Sequence, residues 1–474
     1  MKNENENEIP IIEKLLKESN DEFIKSELIP FLKIPSNTLN EKGIKKAKEF
    51  LISYISSFSK EIIESSGEIN PLIIVKVEGK LKKKLLVYMM YDTQPINKKE
   101  QWICDPFGSE IRILSPPLNT LGKCIIARGA YNSKTPLLCF LSVIKLLKEK
   151  NELPISLVLL FDGEEEKGSP TLLKFLENER NNKIFNNCIG AYYPSTKQDL
   201  NGISVLKLGY KGIISLTIKV SSENKEPHSA FSAMIPNPAV DLISLINTIY
   251  SNNEFHIDCL KEPYVLSEEE QTLIDVLINK FNINKIIKKA GIVQTIESDP
   301  KLTFTNYLFN PTFNISTLKS GYLEEGTKNY VPNEAICKID IRFAHNISVE
   351  QIFKEIKEKV ENFSKGTKSK IDLIRNAGYE GSRVKKDFAL VKSLIKSADV
   401  LGVSTELWPI SADAAPLSEI KKILGLNFIS GGLGIGGFAH APNEFIQIDS
   451  IINTRLSNYY FLKIYSDFYK NKEI

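Results

Sequence analysis

The chain has 474 residues, of which 42% are hydrophobic and 25% are charged, so it is long enough for two or three domains of ordinary globular composition. Its 61 basic and 58 acidic residues give a net charge of +3, and that balance gives no reason to expect a nucleic-acid or membrane partner. The six cysteines are scattered without a Cys-x-x-Cys spacing, which argues against a zinc ribbon or a disulfide framework. The first eight residues are polar and acidic, unlike a signal peptide, and no apolar run is long enough to span a bilayer. We therefore expect a cytoplasmic globular protein.

Strand-like and helix-like segments alternate in the first half of the chain. Their hydrophobic periodicity predicts, in order, a helix at 40–58, strands at 72–77 and 85–90, a helix at 133–150, a strand at 155–161 and a helix at 169–179. Such alternation is typical of a largely parallel sheet with helices on its faces.

The pattern changes after about residue 204, where the strands alternate polar and apolar residues. The predicted elements are a strand at 212–220, helices at 237–250 and 267–282, a strand at 335–343, a helix at 349–365 and a strand at 370–374. One-sided strands of this kind indicate a sheet with one covered face. The α/β pattern resumes with a helix at 386–402, a strand at 426–429 and a closing helix from 449. We predict an α/β domain formed by residues 1–203 and 379–474, interrupted by an α+β domain at 204–378.

Three consecutive carboxylates, Glu164, Glu165 and Glu166, follow the apolar run that ends at Phe161. The C-terminal end of a buried strand is where open α/β sheets place ligand sites. Adjacent like charges are costly unless a positive charge neutralises them, and a metal ion is a common solution. A solvated acidic loop is the alternative, and the segment alone leaves both interpretations open.

Five ordered motifs together carry a resemblance to a known family. They read Met-Tyr-Asp-Thr-Gln-Pro at 90–95, Ala-Arg-Gly-Ala-Tyr-Asn-Ser-Lys at 127–134, Asp-Gly-Glu-Glu-Glu-Lys-Gly-Ser at 162–169, Glu-Pro-His-Ser at 226–229 and Ala-His-Ala-Pro-Asn-Glu at 439–444. In order and spacing they resemble the M20 family of zinc peptidases and amidohydrolases, which includes carnosinase-like dipeptidases, succinyl-diaminopimelate desuccinylase and acetylornithine deacetylase. The resemblance runs over almost the whole chain. It implies a zinc-peptidase-like catalytic domain in which the insertion at 204–378 is a lid and dimerisation domain.

The resemblance assigns roles to four residues near the strand ends. It implies that Glu165 is the general base, that Glu166 and His440 are ligands of the second of two zinc ions, and that Asp92 orients a histidine ligand. Structural roles are the alternatives: His440 could be an ordinary hydrogen-bonded histidine, and Asp92 could be a cap at the strand end.

Two residues of the insertion also match family positions. His228 falls where a histidine helps to hold the oxyanion, and Arg342 falls where an arginine commonly places the substrate carboxylate. A packing or hinge role for His228 and a strand-face charge at Arg342 are the alternatives. The resemblance further implies a homodimer formed through this insertion.

Several expected ligands of the first zinc ion are missing. Met90 stands where the family has a histidine, Asn132 replaces the aspartate that bridges the two ions, and either Tyr193 or Pro194 replaces a second aspartate. A thioether suits copper(I) better than zinc, and a neutral amide offers only one carbonyl oxygen. At most one zinc ion per chain is therefore expected, held by the two ligands of the second site with Asn132 as a weak third. A chain without bound metal is also consistent with these losses.

Three functions remain open from the sequence. The first is a metallopeptidase or amidohydrolase that cleaves a small peptide or an N-acyl amino acid with a single metal ion. The second is a catalytically inactive homologue that acts as a binding or regulatory protein, and a hydrolase with a relocated ligand is a third. The missing ligands favour reduced or lost activity, whereas the retained Glu165, Glu166 and His440 favour a hydrolase.

Overall fold

The computed structural model describes residues 10–97, 99–280, 283, 291–415 and 417–470. The chain forms two compact units. Unit 1 consists of Met1–Leu208, Val384–Trp408 and Glu419–Ile474, and unit 2 consists of Gly209–Arg383 and Pro409–Ser418. Within the described residues, no helix combines the length and the apolar content that crossing a membrane requires.

The helices and strands are numbered here in chain order. The helices are α1 (Ile11–Glu18), α2 (Asn20–Phe23), α3 (Ile29–Leu32), α4 (Glu41–Ile55), α5 (Lys134–Glu149), α6 (Pro170–Glu177), α7 (Glu179–Asn182), α8 (Pro238–Ile249), α9 (Asp258–Lys261), α10 (Glu268–Lys280), α11 (Pro300–Phe309), α12 (Val349–Ser364), α13 (Ala389–Val400), α14 (Ser418–Leu424) and α15 (Ile451–Lys470). The strands are β1 (Glu61–Ser65), β2 (Leu72–Val77), β3 (Leu81–Met90), β4 (Glu110–Ile113), β5 (Lys123–Ile126), β6 (Ile155–Asp162), β7 (Cys188–Pro194), β8 (Ser204–Lys207), β9 (Gly209–Ser221), β10 (Tyr250–Ser251), β11 (Glu254–Phe255), β12 (Thr312–Ser320), β13 (Glu334–Phe343), β14 (Lys370–Tyr379), β15 (Ser382–Arg383), β16 (Thr405–Trp408), β17 (Ser411–Ala414), β18 (Phe428–Gly431), β19 (Gly436–Gly437) and β20 (Phe445–Gln447).

Unit 1 contains a six-stranded sheet in the order β1–β2–β6–β3–β7–β18. The pairs β3–β6, β3–β7 and β7–β18 are parallel, whereas β1–β2 and β2–β6 are antiparallel. Every residue of β6 is buried, as expected for a central strand whose sheet is covered on both faces. Helix α5 contacts β3, β7 and the long C-terminal helix α15, so it forms part of that cover.

A second, antiparallel sheet of unit 1 has the order β19–β20–β5–β4. Because β20 pairs with β5, the loop after β5 and the loop between β19 and β20 are neighbours. The backbone N of Ala127 in the first loop donates to the carbonyl O of Glu444 in the second, over 3.0 Å. This pairing brings two of the sequence motifs together.

Unit 2 is built on an antiparallel sheet in the order β12–β13–β9–β14, and β15 and β17 also pair with β9. Alternate residues of β9, from Ile214 to Val220, are buried in a core with apolar residues of α8 and α12. Residues of β9 between them are partly exposed. The sheet therefore has one covered face, as its alternating strands predict.

The predicted fold class is confirmed: a largely parallel sheet with helices in one unit, and an α+β arrangement in the other. One predicted helix differs in detail, because the segment predicted at 169–179 forms α6 and α7 with a break at Asn178. Asn178 is extended (φ −81°, ψ 103°), and its side chain accepts from the backbone N of Arg180 over 3.1 Å. This N-cap bond starts a new helix instead of continuing the old one. The part of the helix predicted at 267–282 that covers 281–282 lies outside the described residues.

Candidate metal and catalytic site

Two parallel strands end at the same edge of the unit 1 sheet. Met90 ends β3 and pairs in register with Asp162, which ends β6. Asp92 follows β3 directly, and Glu165 and Glu166 begin a short 3-10 turn after β6. Three of the residues predicted from the sequence therefore lie together at this edge.

Asp92 binds the backbone of the acidic loop. Its Oδ1 accepts from the backbone N of Glu165 (3.3 Å), and its Oδ2 accepts from the backbone N of Glu166 (3.2 Å) and from Thr38 Oγ1 (2.8 Å). Burial, and then the neighbouring carboxylates, raise the pKa of Asp92 well above its usual range. Since a methionine stands in place of the histidine ligand, these contacts describe a residue that holds the loop rather than one that orients a ligand.

The three residues predicted as metal ligands are in mutual contact. Asn132 Nδ2 lies 2.9 Å from His440 Nε2 and 3.5 Å from Glu166 Oε1, and His440 Nε2 lies 3.1 Å from Glu166 Oε1. The Glu166 side chain is 2% exposed and the His440 side chain 50%, so the cluster opens to solvent on the histidine side. The hydrogen bond with Glu166 outweighs burial and raises the pKa of His440. Gln94, which was not predicted, donates from Nε2 to Glu166 Oε2 over 2.6 Å and fixes that carboxylate from the other side.

Glu165 has the environment that a general base needs. It is partly buried, and burial followed by the charges of Glu166 and Asp162 raises its pKa to about 8. A base is most effective when its pKa lies near the working pH, and such shifts concentrate at functional sites.

Glu444 is a buried support of the cluster that sequence reasoning missed. Its carboxylate accepts from the backbone N of Gly129 (3.1 Å), Tyr131 (2.9 Å) and Asn132 (2.8 Å), and it forms a 3.0 Å ion pair with Arg128. These bonds fix the backbone that carries Asn132. The only sequence signal was the membership of Glu444 in the C-terminal motif, which assigned it no role.

Two of the positions that lack expected ligands, at the ends of β3 and β7, are filled by apolar or aromatic side chains. Met90 is 1% exposed at the end of β3. The Tyr193 ring meets the Tyr88 ring edge to face, with centroids 5.4 Å apart. Pro194 ends β7 and pairs with Gly431 of β18. Across the described part of the chain, no three or more His, Cys, Asp or Glu side chains are grouped in a way that could hold a metal ion.

Glu164, the first of the three glutamates, is a structural anchor. It is fully buried, its Oε1 accepts from the backbone N of Ile69 (2.8 Å) and Asn70 (2.6 Å), and its Oε2 accepts from the backbone N of Thr171 (2.9 Å). The Thr171 hydroxyl donates to it as well, over 2.7 Å. Hydrogen bonds, not a cation, therefore satisfy this carboxylate.

Replacing Glu164 by alanine is expected to destabilise unit 1 strongly. Three backbone donors, two of them buried and one partly buried, would lose their acceptor, at a combined cost of about 3 to 5 kcal/mol in the free energy of unfolding. The matched control is Glu68→Ala, because Glu68 precedes Ile69 and Asn70 but its side chain is exposed and pairs with Lys174 at the surface. The effect of this control should stay below about 1 kcal/mol. Urea and thermal denaturation of the two variants would measure the difference, and equal midpoints would contradict the anchoring role.

The two residues predicted in the insertion lie in unit 2. His228 is exposed, and its Nδ1 accepts from the backbone N of Ala230 over 3.1 Å, so the other ring nitrogen carries the proton when the ring is neutral. A β-bridge pairs His228 with Tyr330. Arg342 is partly exposed in β13, where its backbone N donates to Thr312 Oγ1 over 3.2 Å.

Comparisons with known proteins identify the family to which this chain is similar. The model of the family described as Peptidase family M20/M25/M40 matches residues 86–460. The chain is 27% identical over 310 residues to the Cys-Gly metallodipeptidase dug1 of Schizosaccharomyces pombe. The matched residues cover 64% of this chain and 62% of that protein, so the match spans less than two thirds of the relative. It is 23% identical over 316 residues to the Beta-Ala-His dipeptidase of Homo sapiens, covering 64% of this chain and 58% of that protein.

Solved structures give the same result for the fold. An M20 family metallo-carboxypeptidase, Sso-CP2 from Sulfolobus solfataricus, matches with a TM-score of 0.81 and 27% identity, covering 93% of this chain and 98% of that chain. Human carnosine dipeptidase 1 matches with a TM-score of 0.73 and 18% identity, covering 96% and 98%. Because the family model spans most of the sequence and the fold agrees, this chain belongs to peptidase family M20/M25/M40.

Proposed function

We propose that this protein is an M20-type hydrolase that cleaves the amide bond of a dipeptide or an N-acyl amino acid and uses at most one metal ion. The observation that carries the proposal is the mutual contact of Asn132, Glu166 and His440 beside Glu165. Relatives named as Cys-Gly and Beta-Ala-His dipeptidases support the substrate class.

The residues present do not fit a centre of two metal ions. One side of such a centre would have to be built from Met90, Asn132 and either Tyr193 or Pro194, none of which carries a carboxylate or an imidazole. A buried thioether and a neutral amide are poor zinc ligands, and proline and tyrosine at the end of β7 offer no carboxylate oxygen. No step of the proposed reaction therefore depends on a second metal ion.

The residues present do fit one metal ion. Adjacent ligand atoms of a tetrahedral zinc ion with bonds of about 2.1 Å lie about 3.4 Å apart. The atoms of Asn132, Glu166 and His440 are 2.9 to 3.5 Å apart, close to that spacing. Rotating the Asn132 amide by 180° would present its carbonyl oxygen instead of its nitrogen. One imidazole, one carboxylate and one amide then make a three-ligand set, weaker than the usual catalytic set because the amide carries no charge.

In its ionised form, Glu165 would accept a proton from the attacking water and return it to the leaving amine. A bound metal ion would supply polarisation of the amide carbonyl and a lowered pKa of water. Gln94 and Asp92 would keep the ligand and the base in place, through the Glu166 carboxylate and the loop backbone respectively. By family resemblance, His228 would stabilise the oxyanion and Arg342 would bind the substrate carboxylate.

The proposal also includes the oligomeric state of the protein and its cellular compartment. The insertion, predicted at 204–378, would form a homodimer, as the family resemblance implies. Each of the six cysteines lies in the described residues and is a free thiol, which suits the reducing environment of the cytoplasm.

A catalytically inactive homologue that binds a small peptide is the second candidate. It is favoured by the missing third charged ligand, because the described residues contain no group of three His, Cys, Asp or Glu side chains able to hold a metal. In that case the direct hydrogen bond between His440 and Glu166 would take the place of a metal ion.

Metal content and dipeptide hydrolysis together separate these functions. We expect purified protein loaded with zinc to contain at most one ion per chain by mass spectrometry and to hydrolyse dipeptides slowly. His440→Ala should lose both the metal and the activity, whereas the control His256→Ala should lose neither, because His256 lies in unit 2, where its ring bonds Ser251. Two zinc ions per chain would contradict the proposal. A chain that takes up no zinc and shows no turnover would favour the inactive homologue.

A further inference from the structure

Unit 1 has a cavity at the end of its parallel strands that lies opposite the candidate catalytic site. A cavity of about 480 Å³ is lined by Leu81, the first residue of β3, and by Pro154, which precedes β6. The ten residues of β3 separate Leu81 from Met90 by about 30 Å at roughly 3.3 Å per residue. The cavity is therefore distinct from the candidate catalytic site.

The floor of the cavity is apolar. Ile12 of α1, Leu81 of β3 and Leu147 of α5 are 7%, 8% and 1% exposed, and the Tyr459 ring of α15 lies beside them. Ile11 lines the same cavity but is 75% exposed, at the rim. Secondary-structure elements of the core supply this floor, so it is a formed surface rather than a gap between loops.

The rim of the cavity is basic. Four lysines line it: Lys80, Lys150, Lys463 and Lys470. Among the lining residues that the structure describes, Glu152 is the only carboxylate. Lys80 pairs with Glu152 over 2.5 Å, and Lys470 pairs with Asp467 over 2.5 Å. Across residues 10–97, 99–280, 283, 291–415 and 417–470, neither Lys150 nor Lys463 forms an ion pair. Among the described residues, two lysine charges at this rim thus have no carboxylate partner and can bind a ligand.

We propose that this cavity binds a small organic anion with an apolar body and a single carboxylate or phosphate head group. The body would lie on the floor formed by Ile12, Leu81 and Leu147, and the head would be bound by Lys150 and Lys463. The volume lies in the range of small-molecule sites, which are mostly apolar with a few polar groups that fix the orientation. A neutral ligand would leave the two lysines unpaired, and a head group without an apolar body would make no contact with the apolar floor. The site does not depend on the proposed hydrolase activity.

The test is calorimetric titration of the full chain with decanoate. We expect saturable binding of one decanoate per chain, weakened about tenfold in Lys150→Gln/Lys463→Gln, because two exposed charge-assisted contacts are lost. Ile11→Glu should weaken binding as well, by placing a negative charge at the rim without disturbing the floor. The matched control is Lys392→Gln/Lys396→Gln, which removes two exposed lysines from α13 and should leave binding unchanged.

Two further ligands decide which part of decanoate is recognised. Decanol has the same body without the charge and should bind at least tenfold more weakly than decanoate. Decyl phosphate replaces the carboxylate head group by a phosphate. Whichever of decanoate and decyl phosphate binds more tightly indicates the head group of the natural ligand. The proposal is overturned if the full chain shows no saturable decanoate binding, if decanol binds as tightly as decanoate, or if the Lys150→Gln/Lys463→Gln variant binds like its control.

Discussion

The triple variant Met90→His/Asn132→Asp/Tyr193→Asp is expected to bind two zinc ions per chain and to hydrolyse dipeptides at least about 100-fold faster than the natural sequence. By the family resemblance, Met90→His and Asn132→Asp would return an imidazole and a carboxylate to ligand positions, and Tyr193→Asp adds a carboxylate at one of the two candidate positions for the second aspartate. Met90 ends β3, residue 193 lies at the end of β7, and Asn132 precedes α5. A second metal ion contributes several kcal/mol of charge stabilisation in the transition state, which corresponds to about 100- to 1,000-fold in rate. Zinc content by mass spectrometry and kcat/KM on a panel of dipeptides are the measurements.

A second version of this variant carries Pro194→Asp in place of Tyr193→Asp. The Tyr193 ring contacts the Tyr88 ring, so both side chains lie on the same face of the sheet. Met90 follows Tyr88 by two residues in β3 and therefore lies on that face as well. Alternation along β7 turns Pro194 to the other face, which favours the Tyr193 version. The control is the double variant Asn132→Asp/Tyr193→Asp, which lacks the histidine and should hold a single zinc ion. If both triple variants still hold one zinc ion or none, the backbone of this edge has moved away from the family geometry.

The fold was largely predictable because its long elements carry strong hydrophobic periodicity. The continuous apolar run of β6 indicated a buried central strand, and the alternation in β9 indicated a sheet with one covered face. The antiparallel direction of β2 was not predictable, since the residues of a strand do not reveal the direction of its neighbour. The exposed strand β12 was missed as an element because none of its residues is fully buried, and its apolar alternation at Phe313 and Ile315 is interrupted by a bulge before Leu318.

The candidate site was predictable as a set of residues but not as a set of contacts. Motif order brought Glu166 and His440 together, although more than 270 positions separate them in the chain. Sequence reasoning left Glu164 without a role, because only the fold shows that backbone donors of a distant segment surround it. Gln94 and Glu444 were missed for the same reason: each acts by a hydrogen bond to a partner that the chain brings near only on folding.

Replacing Glu165 by glutamine is expected to lower kcat for dipeptide hydrolysis about 100- to 10,000-fold while leaving the zinc content unchanged. Glutamine cannot accept the proton of the attacking water, but Glu165 is not among the three clustered ligands. The loss of kcat should appear in the natural sequence and also in the triple variant that restores the first site. Because the triple variant starts from a higher rate, a larger fall in kcat can be measured in it. Activity assays and zinc analysis on the same protein samples measure both effects.

The same substitution should not lower the stability of the protein. Burial and the charges of Glu166 and Asp162 raise the pKa of Glu165 to about 8, so between its unfolded pKa of about 4.3 and pH 8 the folded protein binds the extra proton. Its ionised form is therefore destabilising in the folded state near pH 7, and glutamine removes that cost.

The matched variant Glu166→Gln should lose zinc together with activity, unlike Glu165→Gln, because it removes a charged ligand. A general base that lowers the stability of the folded protein but is necessary for the rate indicates an active catalytic site. Equal rates for Glu165→Gln and the natural sequence would show that Glu165 has no catalytic role.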